Sequence, residues 1–220
     1  MIEAKNVSFQ YDSKGFRLQD ISLKLEEGLI YTLVGENGSG KTTLLKLLYG
    51  IFPPKSGEVL WKGSPLTRKM LPAYHQEAAY IGEQWCDTGA TLRANAEILR
   101  LLYPGFDGGY YEKLLAQAGL TDLQATPFRN LSTGEQCKAE MSFHLARHPK
   151  LLLMDEPLAG LDPVFKTDIL EFLQTAVAEE KMTVLMATNL VTEVSDIADY
   201  VGVLADGKLV KWGDRLEAVK

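Results

Sequence analysis

The sequence predicts an α/β fold in which helices wrap a mixed sheet, and three observations carry that prediction. LIYTLV (29–34), LLLMD (151–155) and TVLMAT (183–188) are mostly apolar runs of strand length, as expected of strands buried on both faces. Segments of helical period separate them. The glycine-rich stretch GENGSGKTT (35–43) joins the first of these strands to a helix, which is where a phosphate-binding loop belongs.

In chain order, Ile2, Ala4, Val7, Phe9 and Tyr11 are spaced for a strand with an irregularity near Asn6, and Ile21, Leu23 and Leu25 alternate in a second. TTLLKLLYG reads as a helix from Thr42 closed by Gly50. PPKSGE is a turn and EVLWKG a further strand. LRANAEILRLLY and YYEKLLAQAGL are helical, split by the breaker PGFDGG, and form a lobe over about residues 85–130. A helix over 134–147 precedes LLLMD. Asp162-Pro163 suits the N-cap and first turn of a helix over 163–179, and another helix starts near Thr192. YVGVLADGKLVKW closes as a hairpin on Asp206-Gly207. No internal repeat or linker interrupts the chain, so residues 1–220 read as one α/β domain with a lobe.

Composition bounds the function. With 220 residues, 46% hydrophobic and 24% charged, the chain suits a single globular domain. A net charge of −6 argues against a nucleic-acid surface, which needs a basic face. Two cysteines, Cys86 and Cys137, make neither a disulfide framework nor a metal-ligand spacing, and point to a reducing cytoplasm. The N-terminus does not read as a signal peptide, and no apolar run approaches the roughly 20 residues that span a bilayer. Direct membrane insertion is therefore not expected, and any membrane link goes through another chain.

Gly35, Gly40, Lys41 and Thr42 fit G-x-x-x-x-G-K-[ST] in the strand-to-helix setting that the motif requires. Over Gly35, Glu36, Asn37, Gly38, Ser39, Gly40, Lys41, Thr42 and Thr43 the backbone turns its N–H groups toward phosphates. Lys41 brings charge to the β- and γ-phosphates, the helix brings its positive N-terminus, and the Thr42 hydroxyl is a magnesium ligand. At the end of LLLMD, Asp155 is placed to hold magnesium directly or through water, and Glu156 to orient or polarise an attacking water.

LSTGEQ (131–136) alone reads as a capping box, with Ser132 capping and Glu135 three residues on. Together with the phosphate loop and LLLMDEP it resembles the signature segment LSGGQ of the ATP-binding cassette (ABC) ATPases. The order of phosphate loop, helical insertion, signature, acidic strand and LAGLDP fits as well, from Tyr11 to the C-terminus. The resemblance implies a P-loop nucleotide hydrolase core with a mixed sheet, an N-terminal antiparallel β-subdomain and an inserted helical lobe. It also implies ATP and Mg2+ as cofactors and two cassettes facing head to tail, as homodimer or heterodimer. Ser132, Gly134 and Glu135 of one cassette would then meet the γ-phosphate held by the other. Tyr11 matches the aromatic that stacks on adenine, its alternative being a strand aromatic of the core. Gly160, Leu161 and Asp162 match the loop that couples the two sites.

Three departures stand out. Where the family places a loop Gln that contacts magnesium and water, YIGE makes Glu83 the functional residue, with Gln84 one position on as the alternative. Thr133 and Glu135 replace Gly and Gln of the signature, and the glutamate brings negative charge near a phosphate unless it faces away. After TVLMAT the family has a His that contacts the γ-phosphate, and here stands Asn189, which donates a hydrogen bond but cannot shuttle a proton. The three histidines, His75, His144 and His148, read as surface or helix-end residues, and Cys137 as a small helix residue.

A cassette of this length resembles those that serve a separate integral membrane permease at the inner face of the cell membrane, and the lobe is similar to that of exporter-type (ABC-2) cassettes. Trp85, Tyr103, Phe106, Tyr110 and Tyr111 are expected either to face that partner or to pack the lobe. Two alternatives remain: a weakly hydrolysing regulatory cassette, suggested by Asn189, and a soluble ABC ATPase outside transport.

Overall fold

The structure is a computed structural model that describes residues 1–11, 15–82, 86–159, 161, 163–189 and 197–214. Glu83, Gln84, Trp85, Gly160, Asp162 and the helix expected from Thr192 lie outside the described residues.

Two sheets sandwich a central helix. The smaller is antiparallel, in the order β2-β1-β4-β5, from Ile2–Gln10 (β1), Arg17–Leu25 (β2), Ser56–Trp61 (β4) and Ser64–Pro65 (β5). The larger runs β10-β9-β3-β8-β7-β6, from Ile30–Val34 (β3), Ala78–Ile81 (β6), Leu151–Asp155 (β7), Thr183–Thr188 (β8), Tyr200–Ala205 (β9) and Lys208–Asp214 (β10). Only the β10 edge is antiparallel, so the sheet is mixed. The irregularity in β1 falls where the sequence puts it: the register shifts between Ala4 and Val7, and Asn6 takes φ 49°.

Alternation along the buried strands explains the two cores. Leu151 and Leu153 join α1 (Lys41–Tyr49) and the small sheet in one cluster, while Leu152 and Met154 join the helical side in the other. Leu44, Leu45, Leu47 and Leu48 of α1 are at most 1% exposed, each worth about 1.5–3 kcal/mol of burial. α1 ends at Gly50 in the left-handed conformation, whose N–H bonds Lys46 and Leu47 carbonyls.

The helical side comprises α3 (Leu92–Leu102), α4 (Gly108–Gln117), α5 (Thr133–Leu145) and α6 (Pro163–Glu180). Sequence reading missed α2 (Leu71–Glu77) and β6, because no turn residue separates Glu77 from Ala78 and the strand has only four residues. The four candidate lobe aromatics among the described residues pack inward rather than face out. Tyr111 is buried and stacks on Phe143 at 5.3 Å, and Tyr103, Phe106 and Tyr110 pack against the same cluster. The exposed large apolar residues of the described part of the lobe are instead Ile98, Leu101 and Leu102, which lie off the Leu92–Ala96–Leu99 stripe of α3. His144 lies in the last turn of α5, at a helix end as expected, and is buried there. Among the described residues no helix is long and apolar enough to cross a membrane.

Candidate active site

Register brings the candidate residues to one edge of the larger sheet. Val34 pairs with Thr188, Asp155 with Ala187, and Ile81 with Met154, so the carboxyl ends of β3, β8, β7 and β6 lie side by side. Ligands of open α/β sheets bind at that edge. Gly35 leaves it as the first residue of the phosphate loop, its N–H 3.4 Å from the Thr188 carbonyl oxygen.

The loop closes at Gly40, whose φ of 109° and ψ of 12° a side chain would strain, and whose Cβ would fall 2.5 Å from the Phe16 ring. No side chain caps α1 from this position, so the first N–H groups of the helix are left for another acceptor. Tyr11, Phe16, Asn37, Gly38, Gly40, Lys41, Thr42, Thr43 and Glu156 line a cleft of about 420 Å³. Glu36, Asn37 and Gly38 are exposed at its rim, and Ser39 Oγ is buried with no hydrogen-bond partner among the described residues. Phe16 was absent from the sequence reading, which had no signal that this ring packs on Gly40.

Tyr11 is half exposed and so is not a core aromatic. Its ring makes T-shaped contacts with Phe9 and Phe52, and its hydroxyl pairs with Thr43 Oγ1 at 3.1 Å. The residue lines the cleft.

Lys41 is deeply buried: its side chain is 4% exposed and donates to the Gly35 and Glu36 carbonyls at 2.8 and 3.2 Å. Glu156 Oε1 completes the set at 3.2 Å. A lysine reaches such burial only with partners of this kind.

The paired acids part company at the end of β7. Asp155 accepts a hydrogen bond on Oδ2 from the Tyr80 hydroxyl at 3.2 Å, while its Oδ1 is buried without a partner among the described residues. Glu156 takes φ 49°, a left-handed conformation uncommon for a side chain of this kind, while its N–H donates to the Ala187 carbonyl at 2.9 Å. The left-handed step sends the two carboxylates to different partners.

At α5, Ser132 is the N-cap of a complete capping box. Glu135 Oε2 accepts from Ser132 N–H at 2.7 Å and from its hydroxyl at 2.8 Å, so the glutamate does not face away from the signature serine. Gly134 is buried. Ser132, Gly134 and Glu135 are not among the residues lining the phosphate-loop cleft. Asn189 is exposed and follows directly on β8, at the same sheet edge as Gly35. Cys137 is a structural helix residue: its thiol donates to the Pro157 carbonyl at 3.3 Å, and burial pushes its pKa up to about 12.

A glycine-rich loop between a buried strand and a helix, with a buried lysine and paired acids at the same sheet edge, defines a phosphate-loop nucleotide hydrolase. The family model described as ABC transporter matches residues 18–159, and the chain belongs to that family. It is an ATP-binding, ATP-hydrolysing subunit of an ABC transporter. It is 33% identical over 211 residues to the ABC transporter ATP-binding protein YtrB of Bacillus subtilis (strain 168), covering 95% of this chain and 70% of that one. It is 30% identical over 211 residues to the bacitracin transport ATP-binding protein BcrA of Enterococcus faecalis, covering 96% and 68%. The fold matches cbiO1 of Clostridium perfringens with a TM-score of 0.86 at 24% identity, over 99% of this chain and 90% of that one. It also matches the ATP-binding cassette MJ0796, in a dimeric post-hydrolysis state with ADP and Pi, with a TM-score of 0.85 at 23% identity, over 98% and 99%.

Proposed function

We propose that this chain drives a separate integral membrane permease by binding ATP between two cassettes and releasing them on hydrolysis. In this reading residues 35–43 hold the triphosphate, Tyr11 stacks on the base, and Glu156 polarises the attacking water. Ser132 and the N-terminus of α5 meet the γ-phosphate held by the opposing cassette. The carrying observation is that the cleft is lined by the loop half of the site alone, while the signature serine begins a different helix. A second cassette supplies the missing half.

Magnesium fits the donors present. The ion takes one or two protein oxygens together with substrate phosphates, and Asp155 Oδ1 and the exposed Thr42 hydroxyl are of that kind. When bound, it supplies positive charge to the phosphates. Glu83 or Gln84 joins this set in the sequence reading, outside the described residues. The likeness to a bacitracin transport ATP-binding protein supports a transport role, and in this reading the permease is of the exporter type (ABC-2) and the chain lies at the inner face of the cell membrane.

The test is Glu156→Gln, which keeps size and hydrogen bonding but removes the carboxylate. Light scattering with ATP and Mg2+ should find a dimer that ADP does not support. A variant that stays monomeric, alone and with a cognate cassette, overturns the sandwich reading. A weakly hydrolysing cassette is the second reading, and the asparagine at position 189 favours it.

A further inference from the structure

Tyr80 belongs to β6, one strand removed from the acid pair, and carries none of the roles assigned above. Its register partner on β7 is Leu153, and the two share the α1 face of the sheet. There it is 5% exposed, with Tyr49 at the end of α1 only 5.5 Å from ring centre to ring centre. A ring so placed fills the core whether or not it carries a hydroxyl. The hydroxyl is what calls for a reason, because it reaches past the core to Asp155 Oδ2 at 3.2 Å.

The two oxygens of Asp155 are consequently unlike. Oδ2 has a donor, and Oδ1 is buried with none among the described residues. A buried carboxylate oxygen without a partner costs stability unless a ligand meets it. Torsion about the last bond of an aspartate is broad and two-fold, so nothing intrinsic tells the oxygens apart. One hydrogen bond to Oδ2 removes that ambiguity.

The backbone next to this contact is shaped for it. Gly82 has φ 145°, and a Cβ there would fall 2.6 Å from Asp155 Cβ and 3.3 Å from the Tyr80 hydroxyl oxygen. A side chain at 82 would push the tyrosine and the aspartate apart.

We infer that Tyr80 is a positioning residue for magnesium, fixing Asp155 through Oδ2 so that Oδ1 stays turned to the ion. This rests on the reading of Asp155 as the magnesium-holding carboxylate. Partners that orient a ligating carboxylate typically matter about 10–100-fold in metal affinity.

The test follows the binding of a fluorescent ATP analogue (mant-ATP) to the full chain, titrated with Mg2+, in wild type, Tyr80→Phe and Asp155→Asn. Tyr80→Phe should keep its analogue affinity in EDTA and its melting temperature, and should need about 10-fold more Mg2+ to reach the midpoint of the metal-dependent change. A residue that only fills the core would leave that midpoint in place, and an unmoved midpoint alongside a shifted Asp155→Asn overturns the inference. If Asp155→Asn is also unmoved, the assignment of magnesium to Asp155 has failed instead. Should Tyr80→Phe not fold, Gly82→Ala disturbs the same contact by crowding, and an unmoved midpoint there equally overturns the inference.

Discussion

Lys41 Nζ lies 3.2 Å from Glu156 Oε1, so the charge that would meet phosphates and the carboxylate that would activate water are paired with each other. The lysine is buried and the glutamate side chain is 28% exposed, so a phosphate arriving at Lys41 would displace the glutamate toward water rather than into the core. In the proposed reading, binding of nucleotide and release of Glu156 would be one event.

Lys41→Ala follows from that pair. Charge-assisted hydrogen bonds contribute roughly 1.5–3 kcal/mol each, so affinity for mant-ATP should fall by about 100-fold. Glu156 retains access to solvent, which limits the loss of stability to about 1–2 kcal/mol, or about 2–8 °C in Tm for a chain of this size. Fluorescence binding and calorimetry check both. A variant that binds nucleotide as tightly as wild type removes Lys41 from the site.

The capping box sets a second expectation. Glu135 holds a negative charge directly on Ser132 N–H and Oγ, the groups that would receive the opposing γ-phosphate. Glu135→Gln keeps an acceptor for the N-cap and removes the charge. The ATP concentration that half-saturates dimerisation of Glu156→Gln should fall several-fold when Glu135→Gln is added. An unchanged concentration would mean that Ser132 does not meet phosphate.

His144 gives a pH dependence. It is buried on α5 with Arg147 Nη1 3.4 Å from its Nδ1, and burial, with a smaller push from that guanidinium, lowers its pKa to about 3. The native state thus refuses a proton that the unfolded chain accepts at about 6.5. Above pH 7 both states are neutral and the residue contributes nothing. As pH falls from 6.5 toward 3 the unfolded state gains, costing up to about 1.4 kcal/mol per pH unit. Between pH 7 and 5, Tm of His144→Gln should therefore fall less than that of wild type. Parallel curves would show that His144 takes up its proton in the folded protein.

What the sequence made legible depended on range. Buried strands announce themselves as apolar runs, and the glycines and Lys41 of the loop are contiguous, so the fold and cradle could be read locally. The capping box was equally local, since Ser132 and Glu135 are three residues apart. The burial of Lys41 was not legible, because it depends on Glu156 arriving from another strand. The same holds for Tyr80, whose role depends on Asp155, 75 residues away along the chain. Helix α2 and β6 were lost for a different reason, since they abut with no breaker between them. Which of the two expectations the lobe aromatics meet was not legible either, because it depends on long-range packing that sets Tyr103 under Arg147, with the guanidinium 3.4 Å from the ring centre.

In the proposed reading Asn189 would set how fast the cassette turns over. It emerges from β8 at the sheet edge that carries Gly35, Asp155 and Glu156, and it is exposed. A preorganised donor to a phosphoryl oxygen is worth about 10²–10³ in rate, and proton transfer by a side chain about 10²–10⁴. An amide supplies part of the first and none of the second. Glu156 remains to activate water, so hydrolysis should be slow but present. Asn189→His should then raise kcat several-fold with nucleotide affinity little changed, and Asn189→Ala should lower it further. Steady-state ATPase assays of the three proteins, with affinity measured in parallel, separate these outcomes. If both substitutions leave kcat where it was, residue 189 does not reach the γ-phosphate and the weak-hydrolysis reading loses its support.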